Sequence, residues 1–256
     1  MCDSTTRRLR HQWLALSLTG LLTIAGGTAA SPFYAPPAPD EDADAFSGEA
    51  ELGYTHLSGN TDSQTLIGKG RLTWLTGNWM HTLRGEVRNV ARDGETSAEQ
   101  YLVSMRERYD FQGPHYLFGF GRWEKDRFSG YDQQFTAIAG YGRHVLDGER
   151  HRLSLEAGPG FRDDRIRGAG DETLAVAYTA LDYRWAFSDT ASLDQELSVE
   201  ATDDNTTSRS LSAITARLNS RLALKLSHEI KHNSQPPASA DARTDHTTSA
   251  SLLYSW

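Results

Sequence analysis

The property of this chain that most restricts its fold is a two-residue rhythm. From Gly48 onward, stretches of about ten residues keep charged side chains on one alternate row and small, apolar or aromatic ones on the other. Side chains of an extended strand alternate between two faces, so each stretch makes a strand with one greasy and one polar face. The stretch TTSASLLYSW shows it plainly. Thr248, Ala250, Leu252, Tyr254 and Trp256 form one row, and Thr247, Ser249, Ser251 and Ser255 the other, with Leu253 the exception. A mean hydropathy of −0.56, with no second long apolar run, excludes a helical membrane bundle. A membrane β-barrel is not excluded, because its lipid-facing residues are diluted one for one by polar lumen residues.

The N-terminus sets the compartment. Arg7, Arg8 and Arg10 precede an apolar run from Trp13 to Ile24, and small residues follow at 26–30. That is the layout of a secretory signal peptide, with an apolar run too short to span a membrane as a helix. Residues 1–30 are therefore expected to be removed. Residues 31–47, rich in Pro, Ala and Asp, are expected to form a disordered periplasmic leader, and 48–256 the barrel. Cys2, the only cysteine, leaves with the signal and lacks the setting of a lipoprotein cysteine. Disulfides, thiolate metal sites and cysteine nucleophiles are thereby excluded. Losing three arginines and Asp3 moves the net charge from −8 to −10, which leaves no electrostatic basis for binding nucleic acid.

About twelve strands are expected, from 48–57 to 244–256, with two kinds of connection. Tight turns follow the even strands at 76–78, 112–114, 147–149, 188–189 and 219–220. Longer polar connections follow the odd ones at 58–63, 91–98, 128–133, 165–172, 202–208 and 233–243. An even-stranded meander that alternates short turns with long loops is the pattern of an all-β, antiparallel, up-and-down outer-membrane barrel with both termini periplasmic. Aromatics flank the short turns: Trp74 and Trp79, Phe111 and Tyr116, Trp185 and Phe187. With Tyr254 and Trp256 they suit an interfacial girdle, although cross-strand pairing beside a hairpin gives the same pattern. The terminal aromatic strand also looks like the signal read by the outer-membrane assembly machinery.

Charge decides which row faces inward, since Arg or Lys facing lipid at mid-bilayer costs about 2–4 kcal/mol. By that rule Lys69, Arg71, Arg84, Glu86, Arg88, Arg106 and Arg108 line the lumen from strands two to four. Glu156, Arg162, Asp182, Asp194, Glu196 and Glu200 line it from strands seven to nine, and Lys225 and Glu229 from strand eleven. Glu107 and Gln195 fall on lipid rows, strand ten has arginines on one row and serines on the other, and Pro159 implies a bulge. The basic wall and the acidic wall admit two readings. They form a transverse field that passes small polar solutes or ions, or they meet across the lumen and lock it shut. The first is preferred, because twelve strands usually enclose more space than side chains fill.

Three stretches carry a resemblance: SGNTD at 58–62, LFGFGRWEKDRFSGYD at 117–132 and LEAGPGFR at 155–162. Together they resemble the YdiY-like family of salt-induced outer-membrane proteins, a family of unknown function. The resemblance implies an outer-membrane barrel associated with salt or osmotic stress, and it supplies no catalytic set. Its motif positions here include Arg122, Trp123, Glu124, Lys125, Asp126, Gly130 and Asp132. Arg122, Glu124 and Asp126 are read as inward and Trp123 as interfacial. Lys125 and Arg127 are read as reaching toward lipopolysaccharide phosphates. A salt-bridged rim that holds the loops together explains the same residues.

Barrels can also host hydrolases at their outer rim. Asp163, Asp164, Asp203 and Asp204, with His232 and His246, offer acids and histidines near the loop end, but solvated loop carboxylates account for them. His151 and Ser154 are too common a pair to signal a hydrolase. The acidic loop at 203–205 lacks the spacing of a calcium cage, and no phosphate-binding loop or other cofactor motif is present. The chain therefore reads as a non-enzymatic barrel whose partners are the bilayer, lipopolysaccharide and small solutes or ions.

Overall fold

The computed structural model describes residues 45–57, 63–92, 95–126, 129–168, 170–238, 240 and 242–256. They form twelve strands: β1 (Phe46–Leu57), β2 (Ser63–Thr76), β3 (Trp79–Arg92), β4 (Glu95–Asp110), β5 (His115–Asp126), β6 (Tyr131–Asp147), β7 (His151–Ile166), β8 (Gly170–Ser188), β9 (Ala191–Ala201), β10 (Thr206–Arg217), β11 (Leu222–Asn233) and β12 (Thr244–Ser255). Each pairs antiparallel with its neighbours in sequence, and β1 pairs with β12, so the sheet closes into a barrel. Gly48 and Trp256 exchange backbone hydrogen bonds of 3.0 Å at that closure. The residues expected as signal peptide, most of the leader and the 58–62 motif lie outside the described residues.

Strand number and topology are as read from the sequence, but the connections differ. β3 ends at Arg92 and β4 starts at Glu95, so most of the loop expected at 91–98 is strand. β7 and β8 likewise run to Ile166 and from Gly170, and β10 starts at Thr206. Among these connections only the one between Asn233 and Thr244 is long. The reason is that a backbone ladder does not need apolar side chains. Polar strand ends keep pairing in water, whereas the apolar row marks only the part of each strand immersed in lipid. β1 also starts at Phe46, inside the stretch expected to be leader. Pro159 produces no register shift: Ile138 pairs Gly160 and Tyr141 pairs Ala157, with the ladder merely interrupted between them. The shifts in this hairpin fall elsewhere, at Tyr131/Gln133 and His144/Leu146. Lacking an N–H, Pro159 drops one rung and stays on the outer row.

The barrel is inverted relative to a soluble protein. Leu52, Leu66, Leu224, Leu226 and Leu252 are exposed on its outside, whereas Arg88, Arg106, Arg122, Glu200 and Glu229 are buried within. An apolar cluster also lies inside, formed by Tyr116, Phe118, Phe120, Ile138, Val176 and Tyr178. It fits because the cross-strand partners of Phe118 and Tyr116 on β6 are glycines, Gly140 and Gly142. A Cβ at Gly142 would occupy the Tyr116 ring, and one at Gly140 would meet Phe118 and the Ala157 carbonyl. Gly158 and Gly160 let β7 approach the backbone of β6 equally closely. Tyr116, expected in the interfacial girdle, is thus a lumen residue, 1% exposed. It shares the inward phase of Arg122 and Glu124 on β5.

A charged lumen as candidate functional site

Four buried charges bridge the lumen. Arg122 on β5 donates to both carboxylate oxygens of Glu200 on β9 at 2.9 Å, and its Nε lies 2.8 Å from Glu124. Arg209 on β10 donates to Glu200 at 2.8 Å and to Glu124 at 2.9 Å. β5 and β10 are separated by four strands in either direction or more around the ring, so these contacts run across the barrel. Two arginines alternating with two glutamates close a ring of charge-assisted hydrogen bonds, stronger than those between neutral groups.

A second set joins β2 and β3 to β11. Lys69 Nζ is 2.6 Å from Glu229, which also accepts from Arg88 at 2.9 Å, while Arg84 and Arg88 both reach Glu86. Elsewhere Arg106 pairs with Glu156, which accepts from the Tyr116 hydroxyl at 2.9 Å. Arg162 pairs with Asp164 at 2.8 Å, and Gln134 donates to the same carboxylate. The guanidinium carbons of Arg106 and Arg108 sit 4.7 and 4.9 Å from the Phe118 and Tyr116 ring centroids. Cations thus cover the faces of the internal aromatics. Glu124, Asp126, Glu196 and Arg108 are also buried.

Toward the end where β1 begins and β12 finishes, the lumen opens. A cavity of about 250 Å³ is lined there by Glu49, Arg71, Arg184 and Arg217 near the mouth, and by Glu51, Lys69, Glu196 and Lys225 deeper in. Side-chain exposure follows this depth: 38% at Arg184 and 22% at Arg71, against 1% at Arg122 and Glu200. Arg184 pairs with Asp194, Arg71 with Glu49, and Lys225 with Glu51. Asp182, on the inner row of β8, pairs in register with Glu196.

The outer face explains the residues that fit the pattern least. Glu107 sits directly opposite His81 and hydrogen-bonds it. The His81 ring stacks on Trp74 at 5.1 Å, within reach of Trp79. The acid therefore lies in the aromatic band at the turn end rather than at mid-bilayer. Gln195 is satisfied on the same face by Ser210 and Ser212 of β10, which settles the serine row of that strand as the outer one. Trp185 and Phe187 pack edge to face outside, and Tyr254 stacks with Trp256. Trp123 is half-buried on the outer row, near Gln133.

Glu51 and Arg209 were missed in the sequence reading. The alternation of Glu49 and Glu51 with Leu52 and Tyr54 marks the first, but the serine row concealed the second. The hydrolase candidates are not brought together. Asp163 faces out and binds Thr173, whereas Asp164 faces in. His232 binds Thr244, and His246 stacks on His228 outside. His151 pairs outside with Tyr183, while Ser154 faces His144 at 2.9 Å. His144 Nε2 is 4.0 Å from Asp110, which is held by Arg108, so no Ser-His-Asp relay forms. Among the described residues no group of three His, Cys, Asp or Glu side chains could hold a metal ion.

A closed sheet leaves no unpaired edge in lipid, and an apolar exterior around an ionic interior places this barrel in a bilayer, as an outer-membrane protein. The family model "Protein of unknown function, DUF481" matches residues 50–256. The chain is 36% identical over 210 residues to the uncharacterized protein YdiY of Escherichia coli strain K12, covering 82% of this chain and 83% of that one. Among solved structures it is similar to the translocator domain of the autotransporter NalP from Neisseria meningitidis, at 16% identity and a TM-score of 0.49, covering 84% and 90% of the two chains. It is also similar to the KdgM porin in complex with disordered oligogalacturonate, at 11% identity and a TM-score of 0.47, covering 82% and 99%.

Proposed function

The chain belongs to the DUF481 family of proteins of unknown function, and from the filling of its lumen we propose that it works as a closed outer-membrane barrel with a blind vestibule, not as a standing pore. The observation that carries this reading is the Arg122–Glu200–Arg209–Glu124 bridge, whose four side chains are at most 3% exposed. Lumen-facing charges of a water-filled channel would be wet. Twelve strands enclose space, but here long arginines and stacked rings occupy it. An envelope role under salt or osmotic stress suits a barrel that is a wall rather than a hole. We place the vestibule and both termini on the periplasmic side, with Lys125 directed to lipopolysaccharide at the other rim and the terminal strand serving recognition by the assembly machinery.

Passive passage of small ions is the second reading, favoured by the charged cavity that opens at one end of the lumen. Planar-bilayer recording of the refolded protein separates the two. The wild type is expected to be silent, and the Arg122→Ala/Arg209→Ala double variant to show conductance steps. Stable open channels from the wild type would overturn the closed-barrel reading.

A further inference from the structure

Among the described residues, Glu196 is a lumen carboxyl with no cation in contact. It is 5% exposed, lines the vestibule, and its Oε2 is buried without a hydrogen-bond partner among the described residues. Asp182, its register partner on β8, is a second acid rather than a counter-ion. The cations whose fields reach Glu196 are Arg84, Lys225 and Arg71, and each contacts another acid: Glu86 at 3.2 Å, Glu51 at 2.9 Å and Glu49 at 3.0 Å. A carboxyl withdrawn from water carries charge only with a cation against it, and here the adjoining space is a cavity.

We propose that the vestibule binds a small organic cation bearing a primary ammonium, with Glu196 as its anchor at the floor. A metal ion fits poorly, since no third ligand is grouped there and hard cations demand many oxygens. An ammonium is a compact charge with three donors, suited to a lone buried carboxyl oxygen at a cavity wall. A cavity of about 250 Å³ lies at the small end for ligand sites, which limits the guest to the scale of a short diamine. The inference is independent of whether the barrel conducts, so silence or conductance in a planar bilayer does not bear on it.

The test is calorimetric titration of the detergent-solubilised full chain with putrescine, at constant ionic strength, with glutarate as the anionic comparison. Wild type is expected to bind putrescine saturably and to ignore glutarate. Glu196→Gln should weaken putrescine binding at least tenfold. Ala213→Leu, which fills the floor without altering charge, should weaken it too, and it decides the matter if Glu196→Gln fails to fold by circular dichroism. Equal affinity in wild type and both variants, a preference for glutarate, or no saturable amine binding by folded wild type would overturn the proposal.

Discussion

At the scale of single residues, the lumen separates charges that hold the barrel from charges that merely decorate it. Glu200 accepts from two arginines that are themselves out of water. Removing its charge strands both, and breaking a buried pair from one side costs about 3–5 kcal/mol. Glu200→Gln is therefore expected to lower the unfolding free energy of the refolded barrel, measured by urea titration, by an amount in that range. Glu49→Gln, at the vestibule mouth with its side chain 37% exposed, should cost no more than about 1 kcal/mol. Equal losses in the two variants would mean that the bridge contributes no more than a surface pair. The inward position of Glu200 was readable from alternation alone, because it shares one alternate row of β9 with Asp194 and Glu196. Its partners were not readable. Arg122 lies 78 positions away, and nothing in a period-two pattern says which side chains meet across a ring.

Among the elements, the β6–β7 hairpin does the most to shape the interior. Its glycines create the space that Tyr116 and Phe118 fill, so the aromatic cluster and those glycines are two halves of one packing solution. At Gly158 an added Cβ meets the Ala139 carbonyl and the Gly140 Cα, both backbone and unable to rotate aside. Gly158→Ala should cost about 1–3 kcal/mol, the range for overpacking a filled interior. Gly70→Ala on β2, where the space is open, should be near neutral. The pair is compared by the temperature at which the folded gel mobility is lost. An unaffected Gly158→Ala would show that the hairpin relaxes apart. This element also shows why the sequence reading succeeded and failed where it did. The strand itself follows from alternation, but Tyr116 beside a turn looks interfacial until its phase with Arg122 is followed six residues along β5. The loop lengths were overestimated for a related reason: composition reports where lipid ends, not where pairing ends.

The whole molecule is closed unevenly. The β1–β2 ladder runs from Phe46↔Trp74 to Leu57↔Ser63, and the β11–β12 ladder from Leu222↔Tyr254 to His232↔Thr244. The seam between β1 and β12 holds only Glu49↔Ser255 through Gly53↔Ser251, with the Gly48–Trp256 bonds below it. Residues 54–57 and 244–250 are therefore laddered on one side only. What ties the seam from within is Glu51, which accepts from Ser251 on β12 at 2.8 Å and from Lys225 on β11 at 2.9 Å. Local opening follows the weakest cooperative unit, so this seam should open before any other pair of strands. Hydrogen exchange on the protein in micelles should show the amides at 244–250 that point toward β1 exchanging ahead of those in β5 to β8. Glu51→Gln should extend the fast-exchanging stretch down to 251–255 while leaving β5 to β8 unchanged. Acceleration spread evenly around the ring would instead report global unfolding. Unchanged exchange at 251–255 would show that the backbone ladder, and not the Glu51 staple, holds the barrel shut.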